Sequence, residues 1–80
     1  MARDYYAEAR EIALCLERDG LKAEAKSLVD AIECGTTATE ILMALRWHLD
    51  RIEASDPATS PQIRRRIRDL SEAVNTALGG

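Results

Sequence analysis

Apolar side chains recur at steps of three and four along most of the chain, the spacing of helices with one face in a core. Tyr5, Ala9, Ile12, Ala13 and Leu16 form a first stripe, and Leu21, Ala25, Leu28, Val29 and Ile32 a second. Ile41, Leu42, Leu45, Leu49 and Ile52 make a third, and Ile63, Ile67, Leu70, Val74 and Leu78 a fourth. Gly20, Gly35 and the closing Gly79-Gly80 pair stand where helices commonly end on a left-handed residue. The pattern predicts an all-α protein of four short helices, at roughly 3–19, 21–34, 38–54 and 61–78.

Local chemistry agrees with these limits. In "GTTATEILMALRWHLD", residues 35 to 50, Thr37 and Glu40 stand in the T-x-x-E relation of a capping box, which starts a helix without any ligand. "ASDPATSPQ", residues 54 to 62, joins two prolines to small polar residues and reads as the one loop of any length. Ser60-Pro61 then supplies an N-cap followed by proline at the first helical position. Short turns between amphipathic helices predict a small antiparallel bundle or an array of helical hairpins. "EAREI" at 8–12 is echoed by "EAKSL" at 24–28, and the hairpin they form is similar to one tetratricopeptide unit. A single unit makes no array, so the echo reads as the grammar of helical hairpins.

Composition narrows this to one core. Eighty residues bury only about two-thirds of their unfolded surface, too little for two cores, so 1–80 is expected to be a single helical domain. The chain is 46% apolar but lacks Phe, leaving Leu, Ile, Val and Ala to do most of the packing. Fourteen acids against eleven bases give a net charge of -3. Eight acids and five bases fall within residues 1 to 35, whereas "RRRIR" at 64–68 concentrates positive charge. No apolar run approaches the ~18 residues of a membrane span, and "MARDYYAEAR" places acids where a signal peptide would be apolar. A cytoplasmic protein is expected. Cys15 and Cys34 lie too far apart along a hairpin turning at Gly20 to bridge, and are expected to be free thiols.

Catalytic and ligand chemistry finds little support. His48, the sole histidine, sits at the edge of the third stripe, and Asp50 two residues on faces another side of the helix. It reads as a boundary packing residue. Two cysteines and one histidine match no zinc spacing, no E-x-x-H pair occurs, and there is no Gly-rich phosphate loop. The expectation is no enzyme, no cofactor, no metal and no small-molecule ligand. Residues 25–48 have the outline of a helix-turn-helix, with Ala31, Gly35 and Ile41 at fitting intervals. Yet Thr36 stands where that motif is usually apolar, and "ATEILMALR" offers a single arginine to a nucleic acid. Net negative charge also removes the electrostatic attraction to phosphate. In "RRRIR", Arg64, Arg65 and Arg68 share the side away from Ile63 and Ile67, with Arg66 on another flank. They read first as a solvated face pairing with the acid-rich first two helices, and second as contacts for an anion or an acidic partner.

The unusual residues are apolar ones that fall off the stripes. Met43 and Trp47 lie one turn apart, roughly opposite Leu45 and Ile52, and Leu14 is displaced likewise on the first helix. Either the third helix is covered on both sides within the chain, or these residues meet a partner, since Trp and Met are enriched at interfaces. The run "GTTATEILMALRWHLDRI" resembles the core of small uncharacterised bacterial helical proteins with a G-[ST]-x-x-T-E-I-L-M-x-L-R segment. That resemblance covers about a quarter of the chain and implies no activity and no site residues. The expected function is a non-enzymatic protein–protein interaction domain. Its third helix forms the centre of the core, and it self-associates, as a dimer, through Leu14, Met43 and Trp47. The alternatives are a nucleic-acid-binding regulator using residues 25–48, or a small immunity, antitoxin or adaptor protein that captures a basic partner with its acidic hairpin.

Overall fold

The computed structural model describes residues 3–55 and 60–79, and the backbone of these residues holds four helices and no strand. They are α1 (Tyr5–Arg18), α2 (Lys22–Cys34), α3 (Ala38–Ser55) and α4 (Pro61–Ala77), each close to its predicted limits. Side-chain and glycine signals set most of the ends. The Asp4 carboxylate accepts the Ala7 amide at 3.0 Å and opens α1. At its far end Gly20 adopts a φ of 88°, the Leu21 amide reaches the Leu16 carbonyl at 2.8 Å, and the Gly20 amide reaches that of Glu17 at 3.0 Å. This is a Schellman termination, with Leu16 and Leu21 as its apolar pair. Ser60 accepts the Ile63 amide at 3.3 Å and Pro61 follows it to open α4, which ends ahead of Gly79 at a φ of 83°.

Three local expectations change. Gly35 is not left-handed; its φ of -74° and ψ of 142° are extended. What the site demands is space, because a Cβ there would collide with the Ile41 side chain and press on the Ala31 carbonyl. The Thr37 hydroxyl accepts the Glu40 amide at 3.1 Å as a cap should, but Glu40 reaches back one residue further than expected. Its carboxylate accepts the Thr36 hydroxyl at 2.6 Å and the Thr36 amide at 3.3 Å. The predicted loop at 54–62 is shorter than read, since α3 runs to Ser55 and α4 starts at Pro61; residues 56–59 lie outside the described residues.

The helices close as a ring: α1 packs on α2 and α4, and α3 packs on α2 and α4. Ile12, Leu16, Leu28, Leu45, Leu49, Ile67, Leu70 and Val74 fill its interior completely buried, with Ala9, Ala13, Ala25 and Ala31 letting backbones approach. Every helix therefore has two main neighbours and one open side. The expectation that α3 occupies the centre fails for that reason, and its outer face is uncovered. Polar ties cross the ring's rim. Arg3 binds Glu8 and Asp69, each at 2.6 Å; Arg66 binds Glu11 at 3.1 Å; and Arg68 binds Glu53 at 2.9 Å. Such exposed pairs add little, because solvent screens them.

Candidate functional site

The open side of α3 and α4 forms a groove. Met43, Arg46, Trp47, Asp50, Arg51 and Ala54 line it from α3, and Ser71, Glu72 and Asn75 from α4. The α3 residues recur at steps of three and four, one helical face turned away from Leu45, Leu49 and Ile52. Met43 is 50% exposed and Trp47 55%. The seam beneath them is closed by polar bonds. Ser71 Oγ donates to Asp50 at 2.7 Å, and the Arg46 guanidinium donates to Asn75 Oδ1 at 3.0 Å. With the seam already closed, the thioether and the indole stand beside it with apolar surface in water.

Trp47 is held by its own helix. The Arg51 guanidinium carbon lies 4.6 Å from the indole centroid, a cation–π contact worth ~0.5–1 kcal/mol at an exposed site. The His48 ring meets the indole edge-on, with centroids 4.9 Å apart and planes at 83°. His48 is itself half-buried in a cleft shared with Ala23, Glu24 and Ser27 of α2. Burial first, and the Arg51 charge second, hold its imidazole below the ordinary value, with Asp30 opposing them. Among the described residues no group hydrogen-bonds that imidazole. At the start of α3, the Thr36 hydroxyl and then its amide hold the Glu40 carboxyl below its usual range.

Leu14 is 61% exposed but does not join Met43 and Trp47. It lines a separate groove between α1 and α2, across the ring from the α3–α4 groove. The expected single interface of all three residues therefore divides into two surfaces. The arginine cluster disperses as well. Arg64 is half-buried, Arg65 is exposed, and Arg68 turns to Glu53 of α3. Arg66 engages the acid-rich hairpin at Glu11, while also donating to the Cys15 sulfur at 3.7 Å. The cause is the ring itself, which sets α4 between α1 and α3 and away from α2.

Residues 25–48 do form two helices joined by a tight turn. The second begins with the Thr36-bound Glu40 carboxylate, and Arg46 is engaged by Asn75, so this turn offers phosphate a negative charge and a committed cation. Cys15 is half-buried, Cys34 exposed, and both are free. Among the described residues no cluster of His, Cys, Asp and Glu could hold a metal ion, and no helix is long and apolar enough to cross a membrane.

The Ser71–Asp50 bond is the feature that sequence reasoning missed. Ser71 stands four residues after Ile67 and three before Val74, a core position by spacing, and is 9% exposed. Its polar side chain hid a placement that the period alone signals. No family model, curated protein or solved structure matches the chain.

Proposed function

We propose that this chain is a non-enzymatic interaction domain that pairs with a second copy of itself across the α3–α4 groove, in the cytoplasm. The supporting observation is the half-exposed Met43–Trp47 pair, one turn apart on a helix whose inner stripe already completes the core. The rim favours self-pairing. Arg46 and Arg51 are balanced by Asp50 and Glu72, so two copies meet as neutral faces, and a two-fold axis can set arginines against acids. The free thiols of Cys15 and Cys34 suit a reducing compartment.

Magnitudes bound the affinity. A tryptophan carries about 150–250 Å² of buriable surface, so covering the exposed half of Trp47 in both copies contributes about 5 kcal/mol at ~25 cal/mol per Å². Association costs ~4–15 kcal/mol, which leaves Met43 and the rim charges to tip the balance. The balance is small, so the pairing is a weak one that needs high protein concentration to form.

Sedimentation equilibrium of the native protein and of Trp47→Lys tests the reading. The native chain is expected to dimerise at about 100 μM and the variant to remain a folded monomer with unchanged helix content. A native chain that stays monomeric throughout, or a dimer indifferent to Trp47→Lys, refutes it.

A further inference from the structure

The groove on the other side of the ring differs in size and in charge. Its volume is about 490 Å³. Ala13 and Ala25, each 3% exposed, form the floor, with Leu14 and Val29 above them as apolar walls. Small residues on both floor helices let a third helix approach to the ~8–10 Å of ordinary helix packing. The α1 lining from Arg10 to Glu17 and the α2 lining from Lys22 to Asp30 each span about two helical turns, at 1.5 Å per residue. That length accepts a helix with apolar anchors at i, i+3, i+4 and i+7.

The rim argues for a foreign occupant. Arg10, Lys22 and Lys26 face Glu17 and Asp30, so the surface is net positive on a chain whose net charge is -3. None of these three cations enters an ion pair among the described residues, whereas Arg3, Arg66 and Arg68 all do. Two copies meeting here would oppose like charge, unlike the neutral α3–α4 rim. An acidic helix would neutralise the rim instead.

We infer that the α1–α2 groove, with Leu14 at its wall and Arg10, Lys22 and Lys26 at its rim, is a docking site for an amphipathic helix of another protein, apolar on one face and flanked by acids. The inference does not depend on self-pairing across the ring, and with it the domain becomes a two-sided adaptor.

The test is fluorescence anisotropy at low salt with a labelled helical peptide of about 18 residues, leucine on one face and glutamate on its flanks, beside a twin with lysine for glutamate. The acidic peptide is expected to bind at least about tenfold more tightly than its twin. Leu14→Glu, and separately the Lys22→Glu/Lys26→Glu pair, are each expected to weaken it by about tenfold or more. Trp47→Lys leaves binding unchanged, which separates this outcome from the fate of the dimer. All these side chains are exposed, and circular dichroism verifies that each variant folds. Equal binding of the two peptides, no binding of either, or binding lost in Trp47→Lys yet kept in Leu14→Glu overturns the inference.

Discussion

α3 and α4 are almost equal in length and pack against each other, yet they use their apolar residues differently. α4 places Ile63, Ile67, Leu70 and Val74 in the core and turns Arg65, Arg66, Arg68, Asp69 and Glu72 to water. α3 buries Leu45, Leu49 and Ile52, a comparable stripe, and then holds Met43 and Trp47 on its opposite side. One stripe is all that a position in this ring requires, as α4 demonstrates. Folding therefore accounts for the whole of α4 and for only the inner half of α3, and the outer half is where selection for something other than folding would act.

Substitutions on the two sides of α3 can break this contrast. The largest loss is expected on the inner side: Leu49→Ala, at a completely buried position, should cost ~2–5 kcal/mol in urea unfolding, and Ile67→Ala on α4 a similar amount. A loss under about 1 kcal/mol at Leu49 would mean that α3 has no complete inner stripe and the contrast is void. Next comes the turn that sets α3 against α2. Gly35→Ala should cost ~1–3 kcal/mol, because the branched Ile41 side chain must move away from a new Cβ. An alanine tolerated there without loss would leave the tight approach of Ile41 unsupported.

Much of this was legible from spacing alone. The four stripes named all the large side chains that become completely buried, since burial follows the helical period and the period is local. The caps at Thr37 and Ser60 were equally local. The ring was not legible, because which helix neighbours which depends on pairings that no single stripe encodes. Hence Leu14 was grouped with Met43 and Trp47 although a core separates their grooves, and Arg68 was assigned to the acidic hairpin although Glu53 of α3 lies nearer. Gly35 was misread in its reason only: a glycine ending a helix can serve φ or space, and the sequence does not distinguish them.

Smaller effects sharpen the comparison further. Thr37→Ala removes the hydroxyl that accepts the Glu40 amide and should cost ~1 kcal/mol, measured again by urea unfolding. Trp47→Lys should change the stability of the monomer by no more than ~0.5 kcal/mol, when unfolded at a protein concentration low enough that dimer adds nothing by mass action. A cost of several kcal/mol at Trp47 would place the indole in the fold's own core and erase the distinction between the faces of α3.

The smallest effect concerns the residue between those two faces. His48 packs on Trp47 at one side and enters the α2 cleft at the other, beside Glu24 of α2 and Arg51 of α3, with the charge of Asp30 acting on it as well. Its folded pKa lies below the unfolded value of about 6.5, so the unfolded chain takes up the proton first as pH falls. Stability from this group is therefore fully present above pH ~6.5 and is lost as pH falls through the lower folded value, beyond which the loss levels off. Glu40 is held below the usual carboxylate range by Thr36, so it takes up its proton beneath that window. Urea midpoints of the native protein should thus decline from about pH 7.5 to about pH 5, and those of His48→Gln should decline less over the same range. Parallel curves for the two proteins would show an imidazole that protonates as readily folded as unfolded. His48 would then belong to the wet outer face with Trp47, and the boundary between the two sides of α3 would have to be drawn inside it.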